Sequence, residues 1–131
     1  MNKVIKYVGP VLGLLVSGTS FADWPSKDTV IHKCYEASSK LSNLIEEKSE
    51  GDCSGDLAVA IAYIDSTAVK LDKNRIDQAK SAIKSAQYEL QDISSRRSYC
   101  AYVAPKVRPV LAEVIRISSE IDVINELAAH K

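Results

Sequence analysis

The side chains in this sequence that are best suited to metal binding or catalysis are three cysteines and two histidines. A thiolate or an imidazole can bind a metal ion, and a cysteine beside a histidine can act as a nucleophile. His32 lies two residues before Cys34, so on a helix the two side chains would point to different faces. His130 lies near the other end of the chain. These positions predict neither a shared metal site nor a nucleophile–base pair.

The usual motifs for cofactors and catalysis are also missing from the sequence. There is no C-x-x-C haem-attachment pattern, no Glu-x-x-His pair of the kind that di-iron bundles use, and no methionine after residue 1. There is likewise no G-x-S-x-G, H-E-x-x-H or glycine-rich phosphate loop. We therefore expect no metal, no cofactor and no enzymatic activity.

The first 22 residues have the pattern of a secretory signal peptide. Two lysines give a positive start, residues 7–18 are mostly apolar but too short to span a bilayer, and Ser20 and Ala22 are small residues at a cleavage site. We expect cleavage after Ala22, with an uncleaved anchor as the alternative. The mature chain would be one domain, residues 23–131, in the periplasm or outside the cell.

The charge of that mature chain limits its partners. The signal contains two lysines and no acid, so 15 Lys and Arg residues remain against 17 Asp and Glu residues. A dedicated binder of nucleic acid or of anionic membranes would need a basic excess. No later segment is apolar enough to span a membrane. We therefore expect neither nucleic-acid binding nor membrane insertion after signal cleavage.

Four stretches carry apolar residues at alternating steps of three and four, which is the seam of a helix that packs along other helices. The predicted seams run through Val30, Cys34, Ala37, Leu41 and Leu44; through Leu57, Ile61, Ile64, Ala68 and Leu71; through Ile76, Ala79, Ile83, Ala86, Leu90, Ile93 and Cys100; and through Val107, Val110, Val114, Ile117, Ile121, Ile124 and Ala128. Ser26 is a candidate N-cap of the first helix. Residues 72–74 predict a tight turn, and Asn74 is a candidate start of the third helix. The alternative is one continuous bent helix. The first helix is predicted to extend from Ser26 to about Lys48, and the second, capped by Asp56 or Ser54, to about Asp72. The third is predicted to extend from Arg75 to about Ala101, with an end that overhangs the second helix or bends near Ser94 and Ser95. The fourth is predicted to extend from near Lys106 almost to the C-terminus.

Four such helices joined by short loops predict an all-α, antiparallel up-down-up-down four-helix bundle. Cys53 follows the first helix and Cys100 lies in the predicted last turn of the third, so this topology brings both to one pole. Cys34 would lie roughly 20 Å from Cys100 at 1.5 Å rise per residue, beyond the reach of a disulfide. We expect a Cys53–Cys100 disulfide and a free, buried Cys34. A Cys34–Cys100 bridge would mean that the topology differs.

The same pole collects tyrosine and basic residues, which are enriched in protein interfaces. Five acids lie within residues 46–56, and none lies between Ile93 and Ala112. Either the opposite charges neutralise each other and the tyrosines cover the disulfide, or part of this surface meets a partner. The predicted partner-binding residues are Arg96, Arg97, Tyr99, Tyr102, Lys106 and Arg108.

These features predict a small exported protein that acts by binding another protein, of identity unknown from the sequence. An inhibitor or immunity factor fits this description, as does an accessory subunit of an envelope machine. The alternatives are a periplasmic chaperone or stress protein for unfolded clients, and a carrier of a small ligand or haem. Heptads of this regularity also allow two copies to associate as a homodimer.

Overall fold

A computed structural model describes residues 25–47, 53–95, 100 and 102–129, with side chains to residue 127. Helix α1 is Lys27–Glu47, α2 is Ser54–Asp72, α3 is Ile76–Ser94 and α4 is Ala104–Ala129. No strand occurs among the described residues. The predicted all-α class is confirmed. The predicted signal peptide, residues 1–22, lies outside the described residues and stays a prediction.

The four helices form a closed ring in which each packs against its neighbours in sequence and α4 returns to α1. This is the predicted antiparallel four-helix bundle. The seam residues fill its centre: Leu41, Ile64, Leu90 and Ile117 are almost completely buried. Burying one such side chain contributes about 1.5–3 kcal/mol, so the seams provide most of the driving force for folding.

Helix α1 starts as the sequence predicts, whereas α2 does not. The Ser26 hydroxyl accepts a hydrogen bond from the N–H of Thr29 (3.2 Å), which satisfies one of the free donors at the start of α1. The N-cap of α2 is Cys53, and no side chain caps it. The expectation that Ser54 or Asp56 caps α2 is therefore wrong, because the helix already begins at Ser54.

The turn between α2 and α3 is tight, as predicted, but Asn74 has a different role. Its φ is 60°, in the left-handed region that asparagine tolerates. The N–H of Asn74 donates to the Leu71 carbonyl (3.0 Å), and the N–H of Arg75 donates to the Lys70 carbonyl (2.8 Å). This pair of bonds is a Schellman motif. Asn74 therefore terminates α2 rather than starting α3.

The prediction that the third helix reaches Ala101 is wrong, because α3 ends at Ser94 and Ser95 is extended (φ −69°, ψ 142°). The Ser94 hydroxyl donates to the Leu90 carbonyl (2.8 Å), the same kind of bond to the preceding turn that Thr67 makes to Tyr63 inside α2. Cys100 consequently lies in the connection to α4, not in a helix. Helix α4 begins two residues before Lys106, as expected.

Lysine–glutamate pairs line the boundary between α1 and α4 at seven-residue steps on both helices. The sign of the pair reverses at the end nearest Cys53, where α1 supplies the acid and α4 the lysine. The pairs are Lys33–Glu120 (2.8 Å), Lys40–Glu113 (2.6 Å) and Glu47–Lys106 (3.2 Å). This ladder shows directly that α1 and α4 are antiparallel in heptad register.

Candidate functional site

Cys53 and Cys100 meet at one end of the bundle, which we call the disulfide pole. Their Cα atoms are 5.4 Å apart and the two sulfur atoms are at bonding distance. Both residues are buried. The topology therefore brings together the predicted pair, although Cys100 is not helical, because the end of α3 and the start of α2 share this pole whichever residue ends α3.

Cys34 is the remaining thiol, and it is completely buried in α1. Burial, helped by the negative charge of Asp65, raises the pKa of this thiol to about 12. A thiol held in its protonated form is a poor nucleophile and a poor metal ligand. Cys34 therefore acts as a small apolar core residue, and it is covered against pairing with a second chain.

Three of the predicted partner-binding residues lie in the described part of the disulfide pole. Tyr102 follows Cys100 by two residues and is 50% exposed. Arg108 is exposed near the start of α4, and it forms no ion pair with any described residue. Lys106 is exposed, and its ammonium donates to Glu47 (3.2 Å). Arg96, Arg97 and Tyr99 lie outside the described residues.

The Lys106–Glu47 pair is a direct contact between the acidic and basic segments predicted to face each other. It neutralises part of the charge at this pole, in line with the simpler of the two expectations. Both side chains are about half exposed, so the pair contributes at most about 1 kcal/mol. Tyr102 and Arg108 remain as the solvent-facing tyrosine and cation of the described pole.

Sequence reasoning missed a group of carboxylates beside the disulfide. Glu89 on α3 lies close enough to Asp56 on α2 for the two carboxylates to repel each other. Burial, then Asp56 and then Asp92, raise the pKa of the Glu89 carboxyl above its ordinary value. The antiparallel pairing of α2 and α3 brings Asp56 and Glu89 together from positions far apart in the sequence. The sequence does not indicate this proximity, because it depends on the register between the two helices.

The described residues contain one group with the donor atoms for a metal ion. Single ligand atoms of Cys53, Asp56 and Cys100 all lie within 4.8 Å of one another. Asp56 Oδ2 is 3.6 Å from Cys100 Sγ. Sulfur atoms joined in a disulfide have no thiolate to offer a metal, so this group fits a cation only after reduction.

A shallow groove between α1 and α4 has a volume of about 150 Å³. It is lined by Lys33, Glu36, Glu113, Arg116 and Ile117. Lys33 and Glu113 already take part in the ladder of ion pairs. His32, next to this groove in sequence, is exposed, and its Nε2 lies 3.4 Å from Glu36. The groove is thus lined largely by charges that already have partners.

Comparison with known proteins found no family model, no curated protein and no solved structure that matches this chain. No helix among the described residues is long and apolar enough to cross a membrane.

Proposed function

We propose that this chain is a small exported protein that acts by binding another protein through the disulfide pole. An inhibitor or immunity factor, or an accessory subunit of an envelope machine, would work in this way. The observation that carries the proposal is the position of Tyr102. This half-exposed tyrosine lies two residues from Cys100, which pairs with a buried cysteine at the start of α2.

Binding favours side chains that lose little conformational entropy when a partner binds. Tyrosine has few rotatable bonds and a large amphipathic surface, and its backbone here is close to a covalent cross-link. Arg108 adds a guanidinium that can pair with a carboxylate of the partner. Arg96, Arg97 and Tyr99 belong to the same proposed surface on the basis of the sequence.

The test is a pull-down with the tagged, exported protein from an extract of the cell envelope of its own host, under non-reducing conditions. The expected result is one stoichiometric partner, read by mass spectrometry. The double substitution Tyr102→Ala and Arg108→Glu should reduce recovery of the partner at least about tenfold, since tyrosines and arginines usually contribute most of the binding energy in an interface.

The matched control is Tyr35→Ala, because Tyr35 is also 50% exposed but lies 12 residues before the end of α1. It should leave recovery unchanged. Full recovery with the pole variant would eliminate the proposed surface. Many substoichiometric proteins instead of one partner would favour a chaperone for unfolded clients.

A further inference from the structure

The outward face of α2 is apolar, although it faces solvent. Val59, Tyr63 and Val69 are 42%, 38% and 43% exposed, and Ala58 and Ala62 are exposed as well. The outer face of a bundle helix is normally charged. We call these five residues, together with Ser66, the α2 stripe. An apolar stripe on the solvent side of a helix marks an interaction surface.

The α2 stripe has the spacing of a second heptad seam, on the face opposite the core. Val59, Ala62, Ser66 and Val69 follow one another at steps of three, four and three, which are a and d positions. In this register Ala58 and Asp65 are g positions, and Tyr63 and Lys70 are e positions. Asp65 therefore lies on one border of the stripe and Lys70 on the other.

Asp65 and Lys70 are available for an external contact. Neither forms an ion pair with any other residue in the described part of the chain. Both are partly exposed. They are five residues apart, which is the separation of the g and e positions that meet across a parallel two-stranded coiled coil.

We propose that two copies of this chain associate by packing their α2 stripes together in parallel, about a two-fold axis along the helices. Each Asp65 then faces Lys70 of the other copy, and each Ala58 faces Tyr63 of the other copy. Since a two-fold interface repeats every contact, two Asp65–Lys70 ion pairs border the seam. An antiparallel arrangement would instead place the Asp65 and Asp72 border against itself, with four carboxylates along one side.

The small side chains in the stripe set the character of this dimer. Ala62 and Ser66 at the centre let the helices approach closely, and the seam from Val59 to Val69 is about 15 Å long at 1.5 Å rise per residue. An interface of this length is small, so the association is weak and reversible. It uses a different face from the disulfide pole, so it holds or fails independently of the function proposed above.

The first experiment is sedimentation equilibrium of the exported protein, with its disulfide intact, at concentrations up to about 1 mM. We expect a reversible monomer–dimer equilibrium. Val69→Glu should raise the dimer Kd at least about tenfold, because a carboxylate would have to lose water in an apolar seam. The matched control is Val123→Glu on α4, where the valine is 38% exposed, and it should leave the Kd unchanged.

A charge exchange tests the parallel arrangement. Lys70→Asp and Asp65→Lys should each weaken self-association, because like charges then meet across the seam. Mixing the two variants should restore a dimer, since every pair across the seam again has opposite signs. Thermal unfolding of dilute samples checks that each variant is folded. If Asp65→Lys does not fold, the dimer is tested with the two remaining variants, Lys70→Asp and Val69→Glu.

Three results would overturn the proposal. The first is a parent protein that is monomeric at about 1 mM. The second is a dimer that neither Val69→Glu nor Lys70→Asp weakens. The third is a mixture of two folded charge variants that does not restore association, which would exclude the parallel pairing.

Discussion

Lys40 on α1 and Glu113 on α4 form the central ion pair of the ladder between these helices, with Nζ 2.6 Å from Oε2. The hydrogen bond and the negative charge of Glu113 raise the pKa of the lysine ammonium. One heptad away, Lys33 pairs with Glu120 in the same sense. The two helices therefore pair opposite charges along their boundary in the same register in which their apolar seams pack.

The reversed third pair of the ladder, Glu47 with Lys106, opposes a shift of α4 along α1 by one heptad. If α4 slipped by one heptad in one direction, Lys40 would face Lys106. A slip in the other direction would bring Glu47 opposite Glu113. Each shift creates a like-charge pair, so the sign reversal disfavours both shifted registers.

A double-mutant cycle on Lys33 and Glu120 measures one step of this ladder. Both side chains are only partly exposed, at 36% and 22%. We expect a favourable coupling of about 0.2–1 kcal/mol from urea unfolding of the two single alanine variants and the double variant. The coupling should shrink in about 1 M salt, where the Debye length is short. A coupling that is zero at low salt would remove this pair from the stabilising contacts.

Loss of the Cys53–Cys100 bond should destabilise the bundle markedly. The bond joins residues 47 positions apart, so reduction releases a long loop in the unfolded chain. Cys53→Ser with Cys100→Ser should lower the free energy of unfolding by about 2–4 kcal/mol. Denaturant titration of the oxidised protein and of the variant checks this value. Equal stability of the oxidised protein and the variant would argue against a bond.

The buried thiol of Cys34 should resist modification in the native protein. Its pKa of about 12 and its complete burial leave almost no thiolate at neutral pH. With the disulfide intact, an aromatic disulfide reagent should label no cysteine in the folded protein and one in denaturant. Rapid labelling of the folded protein would mean that α1 opens readily from the bundle.

The carboxyl of Glu89 should make stability depend on pH in a predictable direction. Its pKa is raised above the ordinary 4.5, so folding penalises the ionised form of this carboxyl. The penalty is absent below the ordinary pKa, grows as the pH rises from the ordinary to the folded pKa, and persists at neutral pH. Glu89→Gln should therefore raise the melting temperature at pH 7 and leave it nearly unchanged at pH 4.

The matched control for Glu89→Gln is Glu126→Gln, since Glu126 is an exposed glutamate on α4. It should change the melting temperature little at either pH. An equal gain for Glu89→Gln at both pH values would assign the effect to packing or helix propensity rather than to the charge.

The sequence by itself determined which residues form the core and which helices exist. Ile83, Leu90 and Ile117 are buried where their periodicity predicts, because a spacing of three and four residues defines one face of a helix irrespective of its neighbours. The pairing of Cys53 with Cys100 followed from topology, because alternating helix directions assign each loop to one pole.

Only the tertiary structure decided the details that depend on how one helix lies against another. The end of α3 at Ser94, where Ser95 is extended, is marked in the sequence by neither glycine nor proline, so the sequence did not locate it. The closeness of Glu89 to Asp56 and the ion-pair ladder of α1 and α4 depend on the register between helices. That register is a long-range relationship, set jointly by packing and charge, so the periodicity of a single segment does not contain it.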